Sequence, residues 1–468
     1  MRCGTMRQFN FREEHMKDIL DSVKHVHFVG IGGSGMSPVA EILHSLGYAI
    51  TGSDVNESDN VNRLRGLGIP IYIGHDAAHV QGADLVVYTA AVNRKNPELL
   101  AAENENIPLV ERAKILGMIT RRYPNTIAIA GTHGKTTTTS MLAQICLEAE
   151  LDPTLFIGGR LPAINANGRV GKSDTMICEA CEFQDHYLEM SPAVAVILNV
   201  DADHLDYFGT LENVIQSFHK FASKATKAVI ANADDANTRL ATAELEQEII
   251  TFGTDSGCQW FARNIKMKDA YAEYDLYHDG AFFAHISLSV PGEHNVLNSM
   301  AAAAAAALCG ASPEQIAQGI ADFHGAGRRF EFLGTARDVT VADDYAHHPT
   351  EISATLEAAK GMGYGRVWAV FQPFTYSRTA RHLEGFITSL SIADQVIVSD
   401  IMGSREENTY GVSSKQITDR IPGAQYLPTF EQISAYLLAH VRPGDLVLTM
   451  GGGDIYKCAR MILNGLKK

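Results

Sequence analysis

Gly131-Thr132-His133-Gly134-Lys135-Thr136-Thr137 is the stretch whose residue types point most directly to chemistry. Glycines let a backbone turn sharply, so that several N–H groups aim at one anion. An ammonium at Lys135 can reach terminal phosphates, and the Thr136 hydroxyl can ligate Mg²⁺. These are the parts of a nucleoside-triphosphate loop. The common pattern has its first glycine five residues before the Gly-Lys pair. Here Ile129 holds that position and the first glycine is Gly131, so the loop is short.

A second glycine run, Gly30-Ile31-Gly32-Gly33-Ser34-Gly35, is followed nineteen residues later by Asp54. Such a run cradles a pyrophosphate at a helix N-terminus, and the acid meets a sugar hydroxyl. NAD and a UDP-sugar both present those groups, and spacing does not separate them. Glu179 and Glu182 follow one apolar run, and Asn199, Asp201, Asp203 and His204 follow another. Carboxylates and a histidine at the ends of parallel strands suit one or two Mg²⁺ ions over a triphosphate. Asn295 and Asn298, three apart, share one helix face. They suit a purine edge, although from spacing alone a helix cap by Asn295 is the favoured reading. Further on, Arg329 and Arg378 can take carboxylate or phosphate oxygens. Asp343-Asp344-Tyr345 and His347-His348 lie between them. Adjacent histidines point opposite ways, so at most one of the pair does chemistry.

The elements that must position these residues are read from periodicity. Thr126–Ala130 is an apolar strand before the phosphate loop, and Thr137–Glu148 is a helix after it. His25–Val29, Ala49–Ser53, Ile69–Tyr72 and Leu85–Thr89 are strands of a doubly wound unit, with a helix from Pro97. Ala113–Arg122 is a linking helix. Thr175–Cys178, Val194–Leu198 and Lys227–Ala231 continue the phosphate-loop sheet. Alternation between Gly257 and Pro291, with a His278-Asp279-Gly280 turn, adds antiparallel strands. His294–Leu308 is a helix carrying seven consecutive alanines, Ala301 to Ala307. Strands recur at Thr340–Ala342, Val367–Phe371, Gln395–Ser399 and Leu446–Met450. The expected fold is α/β in three domains: a Rossmann-like unit over 1–125, a central P-loop parallel sheet with added antiparallel strands over 126–327, and a second Rossmann-like unit over 328–468.

The 468 residues carry a net charge of −15, which argues against a nucleic-acid partner held by a basic surface. Seven scattered cysteines, with Cys178 and Cys181 as an isolated CxxC, give no disulfide framework and no zinc spacing. No apolar run is long enough to insert in a membrane. Glu13 and Glu14 stand where a signal peptide needs an apolar stretch. A cytoplasmic enzyme is the expectation, as monomer or homodimer.

Taken together the motifs HFVGIGGSGMSPVAEIL, TGSD, GTHGKTTTTSM, NVDADHLD, HNVLN, GAGRRFE, DDYAHHPTEI and FQPFTYSRT resemble those of the Mur ligase family, in its order. The resemblance spans residues 26 to about 380. It implies an ATP-dependent ligase joining L-alanine to the lactyl carboxylate of UDP-N-acetylmuramate through an acyl phosphate. Attachment of a murein peptide to the same nucleotide sugar is the alternative. By resemblance, Gly131, Thr132, His133, Gly134, Lys135, Thr136 and Thr137 would hold ATP, with Asn295 and Asn298 at the adenine. Thr136, Glu179 and His204 would hold Mg²⁺. Arg329 and Asp344 would close over the nucleotide. Gly30, Gly32, Gly33, Ser34, Gly35, Asp54 and His75 would hold the UDP-sugar, and Tyr345, His348 and Arg378 the amino acid. Where many members read EADESD this chain reads EACEFQD, which weakens the case for Glu182 relative to Glu179. An NAD-dependent dehydrogenase would leave the phosphate loop idle, and a P-loop binding module would bind ATP without turnover.

Overall fold

The computed structural model describes residues 19–89, 92–404 and 406–468. Cys3, Glu13 and Glu14 lie outside the described residues. Three sheets follow one another along the chain, each with its own helices.

The first sheet is wholly parallel. Its spatial order is Ile71–Ile73, Ala49–Asp54, His25–Val29, Leu85–Tyr88, Leu109–Glu111. The order in which the chain adds strands reverses beside His25–Val29, so the glycine run that follows it lies at a topological switch point. Val26, Phe28 and Val29 are fully buried, as a strand covered on both faces requires. The strand expected from Ile69 starts at Ile71. Pro70 has no N–H to give, and contributes its carbonyl to Gly52 N instead.

The second sheet has ten strands. Asn125–Ala130 lies between Val194–Ile197 and Thr175–Glu179, parallel to both. Ala130 is level with Ile197, and Ile129 with Glu179. The loops that leave these three strands therefore emerge side by side. At one end Trp260–Lys268, Tyr271–His278 and Ala281–Ser287 form the expected antiparallel ribbon. Asp279 (φ 48°) and Gly280 (φ 79°) make its turn. At the other end Thr154–Leu161 and Ala166–Arg169 make an unexpected hairpin. No element is expected from sequence over that stretch, which holds Gly158, Gly159 and Pro162.

The third sheet is parallel across Val339–Asp344, Leu446–Met450, Val367–Phe371, Gln395–Val398 and Gln425–Tyr426. Glu331–Ala336 adds an antiparallel edge. The link from the second sheet is tightly held. Gly327 N donates to Arg160 O (2.8 Å) on the second-sheet side. The next residue, Arg328, donates to Asp343 Oδ2 (2.9 Å) and to the carbonyls of Gly453 (2.9 Å) and Gly451 (2.7 Å) on the other. Gly325, Arg328 and Phe330 all have positive φ.

Helix His294–Leu308 buries Ala301 through Ala306 completely or nearly so and packs on helix Lys135–Glu148. Small side chains permit that close approach. Helix Pro313–Ala321 completes the layer, where a Cβ at Gly319 would lie 2.6 Å from Ile145 Cα. Gly319→Ala is expected to destabilise the second domain by about 1–3 kcal/mol through overpacking. Thermal melts check this, and an unchanged melting temperature would show that the helices yield.

Candidate functional site

The phosphate loop takes its shape from two glycines. Gly131 (φ 153°) and Gly134 (φ 83°) are in conformations that disfavour side chains, and a Cβ at Gly134 would lie 2.5 Å from Asn298 Oδ1. Helix Lys135–Glu148 starts immediately after, so its N-terminal N–H groups and partial positive charge face the loop. Asn199 laces the loop to the neighbouring strand end, accepting from His133 N (2.8 Å) and donating to His133 O (3.1 Å). Thr132 Oγ1 accepts from Asp201 N (2.8 Å). Asn199 received no role from sequence, although its place after an apolar strand beside the acids was visible.

Lys135 Nζ donates to Gly131 O (2.5 Å), Thr132 O (3.1 Å) and Glu182 Oε1 (3.0 Å). Burial opposes its charge, but Glu182, with Cys181 and Glu179 adding smaller effects, raises its pKa, so Lys135 stays an ammonium. Glu182, discounted against Glu179 on sequence, is thus the carboxylate on the loop lysine. Glu179 accepts from Gly158 N (2.9 Å), and a Cβ at Gly158 would lie 2.5 Å from its carboxylate. The hairpin glycine makes room for that acid. His204, in a left-handed conformation (φ 52°), stacks edge-on to Phe183. Burial lowers its pKa, outweighing Asp203 and Glu182, so a neutral imidazole stands near Lys135. A threonine hydroxyl, a carboxylate and a neutral imidazole are a donor set compatible with a divalent cation.

Among the described residues, four side chains of the third domain make hydrogen bonds or ion pairs to this rim. Arg329 donates to Thr136 Oγ1 (3.1 Å). His133 sits between Glu351 (Nδ1–Oε1, 3.2 Å) and Asp201 (Nε2–Oδ2, 3.2 Å). Thr350 Oγ1 donates to Asp201 Oδ2 (3.4 Å), and Arg378 Nη2 donates to Asp203 (3.0 and 3.4 Å). Burial opposes charge on His133, yet Asp201 and Glu351 hold its pKa at about 9. His133, Asp201 and His348 are close enough to surround a metal ion. With both ring nitrogens on carboxylates, His133 is itself the cation of that cluster.

A cavity of about 410 Å³ opens beside the loop. Gly134, Asn232, Phe252, Pro291, Asn298 and Asp344 are among its walls. That volume is in the range of small-molecule sites. Asn295 also lines it and does not cap the helix: the cap position is Glu293, and Asn295 Nδ2 donates to Pro291 O (2.7 Å). Asn298 Nδ2 donates to Asn295 Oδ1 (2.9 Å), so the two amides form one polar strip. Asp344 accepts from Phe330 N (2.8 Å) and Ala346 N (2.6 Å). Burial raises its pKa to about 6 despite Arg329 nearby. Arg328 and Arg329 both lie over the Tyr345 ring, at 4.8 and 5.3 Å. Of the paired histidines, His348 caps helix Pro349–Gly361 and faces His133 (ring centroids 5.2 Å apart). His347 bonds back to Tyr345 O (2.9 Å).

The remaining sequence candidates gather in the first domain. Gly30 N donates to Ser53 O (2.8 Å), Gly33 N to Gly30 O (3.2 Å), and Gly32 N to Asp54 Oδ2 (2.9 Å). A Cβ at Gly35 would meet Arg112 at 3.0 Å, and Ser34 O accepts from Asn167 (3.4 Å). Gly74 N donates to Asp54 O (2.8 Å), which places His75 beside that acid.

His133 gives a pH signature. Its folded pKa of about 9 exceeds the ordinary 6.5. The stability it contributes is therefore fully present below about pH 6.5 and lost as pH rises through about 9. In low salt without ligands, melting temperature should fall between pH 7 and 9 more steeply in wild type than in His133→Gln. Parallel slopes would remove His133 from the seam's energetics.

Three family models match in succession: the Mur ligase family, catalytic domain, over residues 25–124; the Mur ligase middle domain over 129–306; and the Mur ligase, glutamate ligase domain over 328–453. A UDP-N-acetylmuramate–L-alanine ligase of Alkaliphilus metalliredigens is 45% identical, covering 94% of this chain and 97% of the relative. One from Acetivibrio thermocellus is 44% identical, covering 94% and 96%. Among solved structures, the UDP-N-acetylmuramate–alanine ligase of Thermotoga maritima aligns with a TM-score of 0.80 at 29% identity, covering 94% of this chain and 98% of that one. A murein peptide ligase from Psychrobacter arcticus aligns at 0.74 and 26%, covering 95% and 99%.

Proposed function

The chain belongs to the Mur ligase family, and we propose that it joins L-alanine to the lactyl carboxylate of UDP-N-acetylmuramate, cleaving ATP to ADP and phosphate, in the synthesis of peptidoglycan precursors. The observation that carries this reading is the meeting, at one cavity, of the Lys135 loop with Arg329 and Asp344. Alanine ligases at 45% and 44% identity, and one at 29% with a TM-score of 0.80, stand against the murein peptide ligase at 26% and 0.74, which favours alanine over a peptide. We set the domain limits at 1–125, 126–327 and 328–468. We assign the reaction to the cytoplasm, where ATP is available and cysteines persist as thiols; six are free among the described residues.

In this reading a lactyl carboxylate oxygen attacks the γ-phosphorus and the bond to ADP breaks, leaving an acyl phosphate. The alanine amine then attacks the carbonyl carbon. Phosphate leaves from the tetrahedral intermediate, and the amine proton passes to solvent. Little covalent work falls to the protein, so positioning and charge neutralisation supply the rate. Lys135 and the loop N–H groups from Gly131 to Thr137 take the β- and γ-phosphates. Lys135 is freed for this by exchanging the Gly131 and Thr132 carbonyls for phosphate oxygens. Asn295 and Asn298 present amides to the adenine, and Arg329 and Asp344 enclose the nucleotide. Thr136, Glu179 and His204 would hold Mg²⁺, which neutralises charge on the transferring phosphoryl group. Gly30 to Gly35, Asp54 and His75 bind the nucleotide sugar.

The test is phosphate release with UDP-N-acetylmuramate and ATP across L-alanine, other amino acids and a murein peptide. Turnover with the peptide and none with L-alanine would reverse the choice.

Arg378 supplies a second test. Asp203 occupies one edge of its guanidinium, and a further edge can fork onto the carboxylate of free alanine. Tyr345 and His348, the other amino-acid candidates, lie on the same domain. Arg378→Lys should raise the KM for alanine by roughly tenfold, since a charge-assisted hydrogen bond is worth about 1.5–3 kcal/mol. The constants for ATP and the nucleotide sugar should move much less. Equal rises in all three would point instead to a loss of domain closure.

A further inference from the structure

Glu98 is a fully buried carboxylate in the first domain, outside every motif singled out above. It sits in the first turn of helix Pro97–Asn104, capped by Asn96, whose Oδ1 accepts from Glu98 N (2.8 Å). The partial positive charge of that helix end favours an anion there. Three histidines and a serine converge on it. Ser53 Oγ donates to Oε2 (2.6 Å), and His75 Nδ1 lies 2.9 Å from the same oxygen. His79 Nδ1 is 2.7 Å from Oε1, and His27 Nε2 is 3.7 Å from it. Burial would push the Glu98 pKa up, but His27, Ser53 and His79 outweigh it and hold the group at about 2. The carboxylate is ionised and can only accept.

That restricts the histidine. Ser53 spends its hydroxyl proton on Glu98, so His75 Nδ1, 3.0 Å from Ser53 Oγ, faces two acceptors. The proton of a neutral His75 must sit on Nδ1. The lone pair is left on Nε2, at the far edge of the ring. His75 follows Gly74, whose N–H is tied to Asp54 O, and Asp54 in turn holds the glycine loop through Gly32 N. We propose that Glu98 is a positioning residue that fixes the Nδ1–H tautomer and ring orientation of His75, so that Nε2 is presented as an acceptor for a hydroxyl of the nucleotide sugar. This rests on the assignment of His75 to the sugar-nucleotide site. A carboxylate behind an imidazole is a general device for setting which nitrogen reacts outward. Tyr72, stacked on His79 at 4.1 Å, steadies the other arm of the cluster.

The full-length protein is labelled with ¹⁵N-histidine, and the ring nitrogen shifts of His75 are assigned with His75→Gln as the blank. The Nδ1–H tautomer is expected in wild type; the Nε2–H tautomer overturns the proposal without any Glu98 variant. Glu98→Gln keeps the shape but sets an amide N–H₂ against one of the donors. Its His75 should become a tautomer mixture. Its KM for UDP-N-acetylmuramate should rise about tenfold, the cost of one misdirected hydrogen bond to a buried partner. The KM values for ATP and alanine should stay within about twofold. A purely structural role would lower the melting temperature and leave the three constants in proportion, which overturns the proposal. His75→Ala separates the premise from the inference. If it raises the nucleotide-sugar KM and Glu98→Gln does not, the inference fails alone. If it leaves that constant unchanged, the site assignment fails first.

Discussion

Parallel pairing of Asn125–Ala130 with both of its neighbours is the constraint from which the central site follows. Backbone hydrogen bonds fix how far each strand runs before it ends. The phosphate loop, the segment from Glu179 to Glu182 and the segment from Asn199 to His204 are thereby delivered to one edge at one height. None of the three could be shifted by a residue without turning its side chains to the opposite face. The lacing of Asn199 and Thr132 across that edge then makes two loops behave as one.

Charge placement at the seam has a common form. Three cations there are matched by buried or half-buried carboxylates, Lys135 by Glu182, His133 by Asp201 and Glu351, and Arg378 by Asp203, while Arg329 bonds the Thr136 hydroxyl. Unmatched, any of them would be costly to keep charged away from water. Matched, they hold positive groups ready for anionic substrates and couple the third domain to the loop it must cover. Asp344 differs: burial dominates, and its pKa moves toward neutrality.

Much of this was legible in the chain. Period and punctuation marked the strands that carry the site because those strands are apolar and end in Gly, Asp or Asn. Residues that act at long range were not legible. Glu182 was obscured by an unfamiliar neighbourhood: it pairs with Lys135 just before a turn in which Gln184 and Asp185 have positive φ. Glu351 received no role from sequence; it is a helix-start acid bonding His347 N and His348 N, and only the fold brings it to His133. Glu98 carried no signal, because a lone acid in a helix reads as solvent-facing. The hairpin at Thr154–Leu161 was missed since its glycines are there to admit a carboxylate and a neighbouring backbone, a demand invisible along the sequence.

The link at Gly327 and Arg328 has a consequence of a different order. One residue is fastened to the second domain and the very next to the third, so the joint is a single peptide unit wide. Whatever lies beyond it is carried as a cartridge, with Arg329 and Asp344 mounted at its near face. On the proposed assignment, a chain built this way can keep the part that activates a carboxylate and exchange the part that selects the incoming amine. New acceptor specificities can then arise by replacing what lies behind one seam, provided Arg329 and Asp344 are kept at its near face.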